Sequence, residues 1–277
     1  MAMSTSSPTG SGRIGWLADR PGLTVVDHRD IIPAAALPLF DSGNIESYIH
    51  RIPGLSERFF YLNDGTFFGR PVQLDDWFTG TGFFTTWSDE PEVSGLQFVP
   101  EDTALVNASR LSGTWLAQRV PGYVHRPSTF AHAPRLLRVS VLLALETDIS
   151  PALFVSVRAT AFRAWHSPPL VSDFVLRSAI EAGMAQCRSH RSAHVSSGDF
   201  DALDALAQVV DELGRLHFFC INDTADDAHT DDPRLAAVRY TLATLFPEPS
   251  LFERAGPAMT GAGAVAANRQ LAELASA

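Results

Sequence analysis

The sequence predicts an α/β protein in which helices flank a mostly parallel sheet. Two apolar runs, Tyr61-Leu62 and Cys220-Ile221, are each followed by the dipeptide Asn-Asp, as expected of buried strands that end in a polar turn. Apolar residues recur at helical spacing over 199–213, directly before the second run. The chain has 277 residues, 45% of them hydrophobic, which is enough to bury a substantial core.

The first third of the chain predicts a strand, a helix and a second strand. Residues 23–26 are Leu, Thr, Val and Val, three of them β-branched, which favours a short strand. A helix over 44–52 would carry Ile45, Tyr48, Ile49 and Ile52 on one face. Residues 59–62 form a continuous apolar run, which is typical of a buried strand. This order favours a βαβ unit.

Later elements follow from composition and from helix-end signals. Gly, Thr and aromatic residues mix irregularly over 79–127, where we expect short strands and loops. Pro134 suits the first turn of a helix, and Asp232-Pro233 supplies the cap and first residue of another. The elements expected after residue 127 are helices over 134–145, 172–186 and 199–213, a strand over 216–221 and a helix over 232–246.

Charge and composition exclude several classes of chemistry. The formal net charge of −10 argues against nucleic-acid binding, because phosphate repels an acidic surface. All 21 basic residues are arginine, which excludes lysine-dependent phosphate loops and Schiff bases. Two cysteines cannot build a disulfide framework and favour a reducing compartment.

The chain ends predict a disordered tail over 1–13 and a flexible Ala/Gly-rich tail over 256–277, with a single domain over 14–255. Residues 1–12 lack the apolar stretch of a secretory signal. The most apolar region, 139–157, is interrupted by Glu146, Asp148 and Pro151, so we expect no transmembrane segment. We therefore expect a cytoplasmic protein, with a peripheral position at the inner membrane face as a further option.

The repeated Asn-Asp pairs, Asn63-Asp64 and Asn222-Asp223, are candidate binding residues. Ligands of open α/β sheets collect at the carboxyl ends of strands, and carboxylate and amide oxygens suit Mg²⁺ or a sugar hydroxyl. The alternative is that each pair simply forms a turn. A second metal hypothesis concerns Zn²⁺, because Cys187, His190 and His194 would share one helical face, although an exposed loop is the alternative there.

Several longer segments resemble the Stealth family. VVDHRD (25–30), LPLF (37–40), IESYIHRIPGLS (45–56), YLND (61–64) and FFGRPV (67–72) are similar to part of its second conserved region, over 16–80. AHAP (131–134) with Phe162-Arg163 resembles the third region, over 128–170. FCIND (219–223) and the helix that follows resemble the fourth, over 215–253. The family includes bacterial capsular and exopolysaccharide phosphotransferases and the catalytic subunit of the animal N-acetylglucosamine-1-phosphotransferase.

The resemblance implies phosphoryl transfer on a Rossmann-like or GT-A-like sheet. A UDP-sugar donor would pass sugar-1-phosphate to a hydroxyl of a glycan acceptor and release UMP. Mg²⁺ or Mn²⁺ is the implied cofactor, because the transferred group carries negative charge. Homo- and hetero-oligomers both remain open.

The resemblance also assigns roles to individual residues. Asp64 and Asp223 are the expected metal ligands, and Asp64 is also expected to be catalytic. His132 is the expected proton acceptor, because imidazole titrates near neutrality, and Arg163 would hold phosphate oxygens. The residues expected to bind substrate are Glu46, His50, Arg51, Asn63 and Asn222.

The sequence also departs from the family pattern. The first conserved region and the opening of the second are not found, so we expect the N-terminal strands of the family core to be missing. The family's Asn-Asp-Asp reads Asn63-Asp64-Gly65, and Arg163 is not followed by the expected Asp. Two hypotheses follow. The chain is a sugar-1-phosphate transferase, or it is a truncated, degenerate Stealth module that binds sugar or partners an active paralogue.

Overall fold

The computed structural model describes residues 2–3, 17–88, 92, 95–163, 167–225, 228–229 and 232–254. The chain divides into two compact units. Unit 1 comprises Met1–Val26, Asp64–Pro71 and Arg191–Ala277, and unit 2 comprises Asp27–Asn63 and Val72–His190. Apart from Ala2 and Met3, the two expected tails lie outside the described residues.

The strands among the described residues are β1 (Ala2–Met3), β2 (Val25–Val26), β3 (Arg58–Tyr61), β4 (Thr66–Phe68), β5 (Phe83–Thr85), β6 (Arg135–Arg138), β7 (Ala185–Cys187), β8 (Ser192–Ser196) and β9 (Phe218–Asn222). The α-helices are α1 (His28–Ile31), α2 (Ser42–Glu46), α3 (Leu74–Trp77), α4 (Ala104–Ala117), α5 (Val139–Ala144), α6 (Pro151–Val157), α7 (Val175–Glu181), α8 (Ala202–Glu212) and α9 (Pro233–Leu245). Shorter 3₁₀ turns lie at Ala34–Ala36 and Ile49–Arg51, and π-helical turns at Leu145–Ile149 and Leu170–Phe174.

Unit 1 is organised around a three-stranded sheet in the order β4-β9-β8. Strands β8 and β9 are parallel and are connected by α8, which makes a βαβ unit. Strand β4 runs antiparallel to β9, with Thr66 opposite Cys220. Strands β1 and β2 form a separate parallel pair.

The core of unit 1 lies between this sheet and the helices α8 and α9. Phe219 is fully buried and stacks on Phe67 with ring centroids 5.1 Å apart. Helix α9 begins where Asp232 accepts a hydrogen bond from the backbone N–H of Arg234. The buried members of the core are Val195, Leu206, Val209, Leu216, Phe219, Ile221, Ala237 and Leu245.

Unit 2 contains two strand pairs, antiparallel β3-β6 and parallel β5-β7, among helices. Its core includes a fully buried ion pair, in which Arg177 Nε lies 2.7 Å from Asp173 Oδ1. The guanidinium of Arg177 also donates to Ser109 Oγ and to the carbonyl oxygens of Arg126 and Ser128. Arg177 thus ties α7 to α4 and to the loop before β6.

The α/β class and several elements are confirmed. Strands were expected over 23–26, 59–62 and 216–221, where β2, β3 and β9 lie. Helices α8 and α9 fall within the expected 199–213 and 232–246. The helix expected over 44–52 is divided into α2 and the 3₁₀ turn Ile49–Arg51. The helix expected over 172–186 is shorter than predicted, because Gly183, with a φ of 69°, ends it. The described sheets are small and only partly parallel.

Other expectations were wrong. The βαβ unit expected over 23–62 does not form, because β2 pairs with β1 and β3 pairs with β6. The helix expected over 134–145 begins as β6, whose Leu136 and Leu137 are buried in the ladder with β3. The 14-residue helix α4 lies where short strands and loops were expected.

No helix among the described residues is by itself long and apolar enough to cross a membrane. Val139–Ile149 and Pro151–Val157 together meet the length and composition of a span, but they are bent by 98° at their junction.

Candidate functional site

The carboxyl ends of β8 and β9 form the polar edge of the sheet in unit 1. The two strands are parallel and in register, so that Ser196 pairs with Asn222. The next backbone N–H, that of Ser197, donates to the carbonyl of Asn222 over 2.9 Å. Parallel strands joined by a helix commonly place ligand-binding groups at this end.

Hydrogen bonds fix the side chain of Asp223 at this edge. Its Oδ1 accepts from the buried hydroxyl of Ser197 over 2.9 Å and from the backbone N–H of Ala225 over 3.1 Å. Ser197 Oγ in turn accepts from the N–H of Thr224. Among the described residues no hydrogen bond or ion pair uses Oδ2 of Asp223. The carboxylate is therefore oriented by one oxygen and keeps the other available.

The turn Asp64-Gly65 lies at the same end of the sheet. Strand β4 begins at Thr66 and is antiparallel to β9, so the residues before β4 lie beside the end of β9. The backbone N–H of Ile221 donates to the carbonyl of Gly65 over 2.9 Å. Asp64 is exposed, whereas Asn222 is half-buried. Asp64, Asn222 and Asp223 are thus brought to one edge, where their oxygen atoms can bind a divalent cation or a sugar hydroxyl.

Gly65 itself cannot be replaced by a larger residue without a shift of the backbone. Its φ is 75°, in the left-handed region that favours glycine. A Cβ atom at this position would lie 2.3 Å from the carbonyl oxygen of Ile221. The acidic residue that the family pattern places here is therefore incompatible with the backbone of this chain.

Glu46 lies within a separate polar cluster in unit 2. It is 7% exposed, and its Oε1 accepts a hydrogen bond of 2.7 Å from the hydroxyl of Tyr61 on β3. Burial raises the pKa of the Glu46 carboxyl, although the Tyr61 hydrogen bond and the charge of Arg135 oppose the shift. Arg163 lies on the exposed side of this cluster, with Nε 3.6 Å from Asp41 Oδ1.

His50 and Arg51 meet at Glu146, which lies on the π-helical turn after α5. His50 Nε2 and Arg51 Nη2 lie 2.5 and 2.6 Å from the Glu146 carboxylate. Arg158 Nη1 is 2.5 Å from the same carboxylate and its guanidinium stacks on Tyr48, 3.9 Å from the ring centroid. Burial alone would raise the pKa of Glu146, but the hydrogen bonds from Arg158 and Arg51 outweigh it and hold the pKa at about 2.

The imidazole of His50 has a pKa below its ordinary value. Burial lowers its pKa more than the neighbouring Glu146 raises it. In the neutral imidazole, a proton on Nε2 lets His50 donate to the Glu146 carboxylate and makes Nδ1 an acceptor. The buried Nδ1 has no hydrogen-bond partner among the described residues. The buried Oδ1 of Asn63, which follows Leu62 after the end of β3, likewise has no hydrogen-bond partner among the described residues. These two acceptors are available to a hydrogen-bond donor.

His132 is half-buried and lies three residues before β6 in unit 2. The catalytic roles expected of His132 and Arg163 stay predictions. The substrate-binding roles expected of Glu46, His50, Arg51 and Asn63 stay predictions in the same way.

The structure gives no support to the Zn²⁺ hypothesis. His190 is buried, with Nδ1 2.6 Å from Thr86 Oγ1 and Nε2 2.9 Å from the carbonyl of Asp76, so that both ring nitrogens already have partners. Cys187 lies in β7 and His194 lies in β8. These two residues therefore do not share the helical face that the Zn²⁺ hypothesis requires, and they do not lie in the exposed loop that was the alternative. Burial raises the pKa of the Cys187 thiol to about 11, which disfavours the thiolate that binds zinc.

Sequence reasoning missed residues that organise both clusters. Ser197 and Thr224 follow the strand ends, and a signal existed in the polar stretch Ser196-Ser197-Gly198, which follows Val195. Glu146 was noticed only because it interrupts an apolar run. Its partner Arg158 carried no signal in the sequence.

Comparison with known proteins identifies two conserved regions. Residues 11–85 match Stealth protein CR2, conserved region 2, and residues 214–260 match Stealth protein CR4, conserved region 4. The first match contains Glu46, His50, Arg51, Asn63 and Asp64, and the second contains Asn222 and Asp223. His132 and Arg163 lie outside both.

Curated relatives carry the name exopolysaccharide phosphotransferase. SCO6023 of Streptomyces coelicolor is 34% identical over 248 residues, which cover 89% of this chain and 42% of that protein. A Nocardia farcinica relative is 31% identical over 89% of this chain and 48% of its own length. CpsY of Mycobacterium tuberculosis is 29% identical over 86% of this chain and 44% of its own length. The chain thus spans less than half the length of these relatives.

Proposed function

Because this chain belongs to the Stealth family, we propose that it acts in the transfer of sugar-1-phosphate from a UDP-sugar to a glycan hydroxyl, with release of UMP. The acceptor would belong to an exopolysaccharide or capsular polysaccharide, as the names of the relatives suggest. The reaction replaces the bond between the two donor phosphates with a phosphodiester to the acceptor oxygen.

The observation that carries this proposal is the meeting of conserved regions 2 and 4 in one sheet. Strand β4 belongs to the first matched region and β9 to the second, and the two strands are paired. Asp64 and the pair Asn222-Asp223 reach the same edge although about 160 residues separate them in the sequence. Family-matched segments that converge on carboxylates at a strand end support a shared ligand site.

The residues at this edge fit a divalent cation. Mg²⁺ and Mn²⁺ prefer oxygen ligands, and Asp64, Asn222 and Asp223 supply carboxylate and amide oxygens. Ser197 and the Ala225 N–H orient Asp223 through one oxygen, which leaves the other for the cation. When bound, the cation would neutralise charge on the donor phosphates.

The family resemblance also assigns roles to two residues of unit 2. His132 would accept the proton of the attacking hydroxyl, for which a neutral imidazole is suited. Arg163 would bind non-bridging phosphate oxygens, and its half-exposed side chain is accessible to such an anion. Glu46, His50, Arg51 and Asn63 would bind the sugar and the nucleotide.

The experiment measures UMP release from UDP-sugars in the presence of Mg²⁺ and a glycan acceptor. We expect Asp64→Asn and Asp223→Asn to lower the rate at least about 100-fold, and His132→Ala and Arg163→Ala to have effects of similar size. Asp211→Asn is the matched control, because Asp211 is an exposed carboxylate on α8 away from the strand ends.

The absence of UMP release would contradict the proposal. The absence of UMP release must be observed with several UDP-sugars, and also when the first conserved region of a relative is added as a separate polypeptide. The protein would then be a non-catalytic Stealth module, and sugar binding without turnover would be the result that identifies it. Equal rates for Asp223→Asn and Asp211→Asn would refute the role of the strand-end carboxylates while leaving the activity intact.

A further inference from the structure

Residues 158–163, which lead from the end of α6 to Arg163, contact both ends of one short helix in unit 2. We call this segment the Arg163 loop and the helix is α2. At the carboxyl end of α2, Arg158 Nε and Nη2 donate to the hydroxyl and the carbonyl of Ser47 over 2.8 and 2.5 Å. At the other end, Arg163 Nε lies 3.6 Å from Asp41 Oδ1. The loop is thus attached to the two residues that cap α2.

The middle of the Arg163 loop is held by contacts between these two ends. Asn44 is fully buried, and its Nδ2 donates to the carbonyl of Thr160 over 2.7 Å. The backbone N–H of Phe40 donates to the carbonyl of Ala161 over 2.8 Å. The ring of Phe40 also stacks on that of Phe162, with centroids 5.1 Å apart. Because these contacts follow one another along the loop, α2 and Phe40 set its path.

The contact made by Asn44 is protected from water, whereas the ion pair of Arg163 is not. The side chain of Arg163 is 56% exposed, and an exposed ion pair contributes little because water and salt screen it. A buried hydrogen bond is costly to break, because the freed carbonyl finds no other partner. The position of Arg163 therefore depends more on Asn44 and Phe40 than on the charge of Asp41.

An arginine that binds a phosphoryl group must be held in place to lower the barrier. Its guanidinium presents donors in a fixed plane, so a displaced guanidinium does not match the oxygens it has to bind. A displacement of about 1 Å can lower a rate about 100-fold. Helix α2 also carries Glu46, whose pKa is raised by burial and lowered by the charge of Arg163. One helix thus holds both side chains in a fixed arrangement.

We propose that Asn44 and Phe40 are positioning residues for Arg163. Asn44 holds the Arg163 loop through a buried hydrogen bond, and Phe40 holds it through a backbone hydrogen bond and a ring stack. Both residues act by keeping the guanidinium of Arg163 in place. The consequence for the reaction rate rests on the proposed phosphotransferase function, whereas the restraint on Arg163 does not.

The mobility of Arg163 tests the restraint without any enzymatic activity. The readout is the ¹H,¹⁵N heteronuclear NOE of the backbone amide and Nε of Arg163 in the full chain, with Nε assigned by its loss in Arg163→Lys. We expect Asn44→Ala to lower both values to about half or less, because the loop then moves on the nanosecond timescale. Asn107→Ala is the matched control and should keep the parent values. Asn107 is also a buried asparagine whose Nδ2 donates to a backbone carbonyl, that of Val99 over 2.7 Å.

The rate of UMP release tests the consequence for the reaction. Asn44→Ala should lower kcat at least about tenfold and change KM less than about twofold, because an interaction of the transition state is lost. Asn107→Ala should leave kcat unchanged. In Arg163→Ala, the further change Asn44→Ala should have no effect, because Asn44 acts through Arg163. Phe40→Ala replaces Asn44→Ala if that variant does not fold, since Phe40 is 60% exposed.

Three results would overturn the proposal. The first is an unchanged NOE of Arg163 in both Asn44→Ala and Phe40→Ala, which would show that the loop is held without them. The second is an equal loss of kcat in Asn44→Ala and Asn107→Ala, which would indicate general destabilisation. The third is a double variant whose loss of rate is the product of the two single losses. If the parent protein releases no UMP, the proposed function fails, and the NOE values alone decide whether Asn44 and Phe40 hold Arg163.

Discussion

Replacement of Gly65 by alanine tests the geometry of the strand-end site. Gly65 has a φ of 75°, and its carbonyl accepts the hydrogen bond from Ile221 N–H that joins the start of β4 to β9. A Cβ atom would lie 2.3 Å from Ile221 O, more than about 1 Å inside normal contact distance. The backbones of the turn and of β9 must therefore separate in Gly65→Ala.

The size of the effect follows from two costs. The left-handed backbone of a non-glycine residue costs about 1 kcal/mol or more. Relief of the clash adds about 1–3 kcal/mol, the usual range for an overpacked buried contact. We expect Gly65→Ala to lower the free energy of unfolding of unit 1 by about 2–4 kcal/mol.

Gly214→Ala separates the two costs. Gly214 has a similar φ of 84° and lies in the same unit, but a Cβ atom added there would meet nothing within 4 Å. Both variants share the backbone cost and the reduced entropy of the unfolded chain, so their difference reports the clash with Ile221 O. Urea unfolding gives the free energies, and amide hydrogen exchange at Ile221 reports the loosened hydrogen bond. Equal destabilisation by the two variants, with unchanged exchange at Ile221, would refute the reasoning.

Three further predictions concern buried polar groups. Arg177→Met should lower the free energy of unfolding of unit 2, measured in urea, by about 3–5 kcal/mol, because it leaves the carboxylate of Asp173 buried without its partner. A loss below about 1 kcal/mol would contradict this prediction. Burial raises the pKa of Glu46, so the folded state holds that proton more tightly and its contribution to stability is lost as the pH rises above 4.5. Glu46→Gln should therefore make stability fall less steeply with rising pH than in the parent, and identical pH profiles would contradict it. Ser197→Ala should lower the free energy of unfolding by about 1–3 kcal/mol and speed amide exchange at Thr224, because the Thr224 N–H donates to the Ser197 hydroxyl. Unchanged exchange at Thr224 would show that this hydrogen bond does not restrain the edge of the sheet.

The hydrophobic pattern predicted strands whose buried residues are apolar and contiguous in sequence, and helices whose apolar residues recur at helical spacing. Strand β9 is an example, because its first four residues are buried and it ends at the polar pair Asn222-Asp223. Strand β8 could not be recognised in this way, since Val195 is its only buried residue and Arg, His and Ser surround it. Its strand conformation depends on pairing with β9, a tertiary contact that local composition does not report.

Helix α4 escaped detection for a different reason. Its buried face includes Asn107, Ser109 and Arg110, which hydrogen-bond or form ion pairs with groups outside the helix. A periodicity of apolar residues is therefore weak in α4 although the face is buried. In β6 the error was in the type of element, because Leu136 and Leu137 are compatible with either structure and the partner strand β3 decides.

The sequence predicted the residues of the candidate site that lie at the ends of the predicted strands. The two Asn-Asp pairs directed attention to Asp64, Asn222 and Asp223, and the pairing of β4 with β9 brings them to one edge. The hydroxyl that orients Asp223 comes from Ser197, which follows the strand that the pattern did not reveal. The sequence thus indicated Asp223 as a candidate residue, whereas it did not indicate Ser197, the residue that orients the Asp223 carboxylate.

Gly65 bears directly on how many carboxylates this edge can present. The family pattern suggests that an acidic residue has been lost there, so that Gly65→Asp would restore it. The close approach of Ile221 O argues the opposite, because a side chain at 65 separates β4 from β9 and so displaces Asp64 from the end of the strand that carries Asp223. At the proposed cation site, Gly65→Asp should therefore weaken Mg²⁺ binding rather than strengthen it. The proposed cation site would use Asp64 and Asp223, and Gly65, the residue directly before β4, keeps Asp64 beside the end of β9 that carries Asp223.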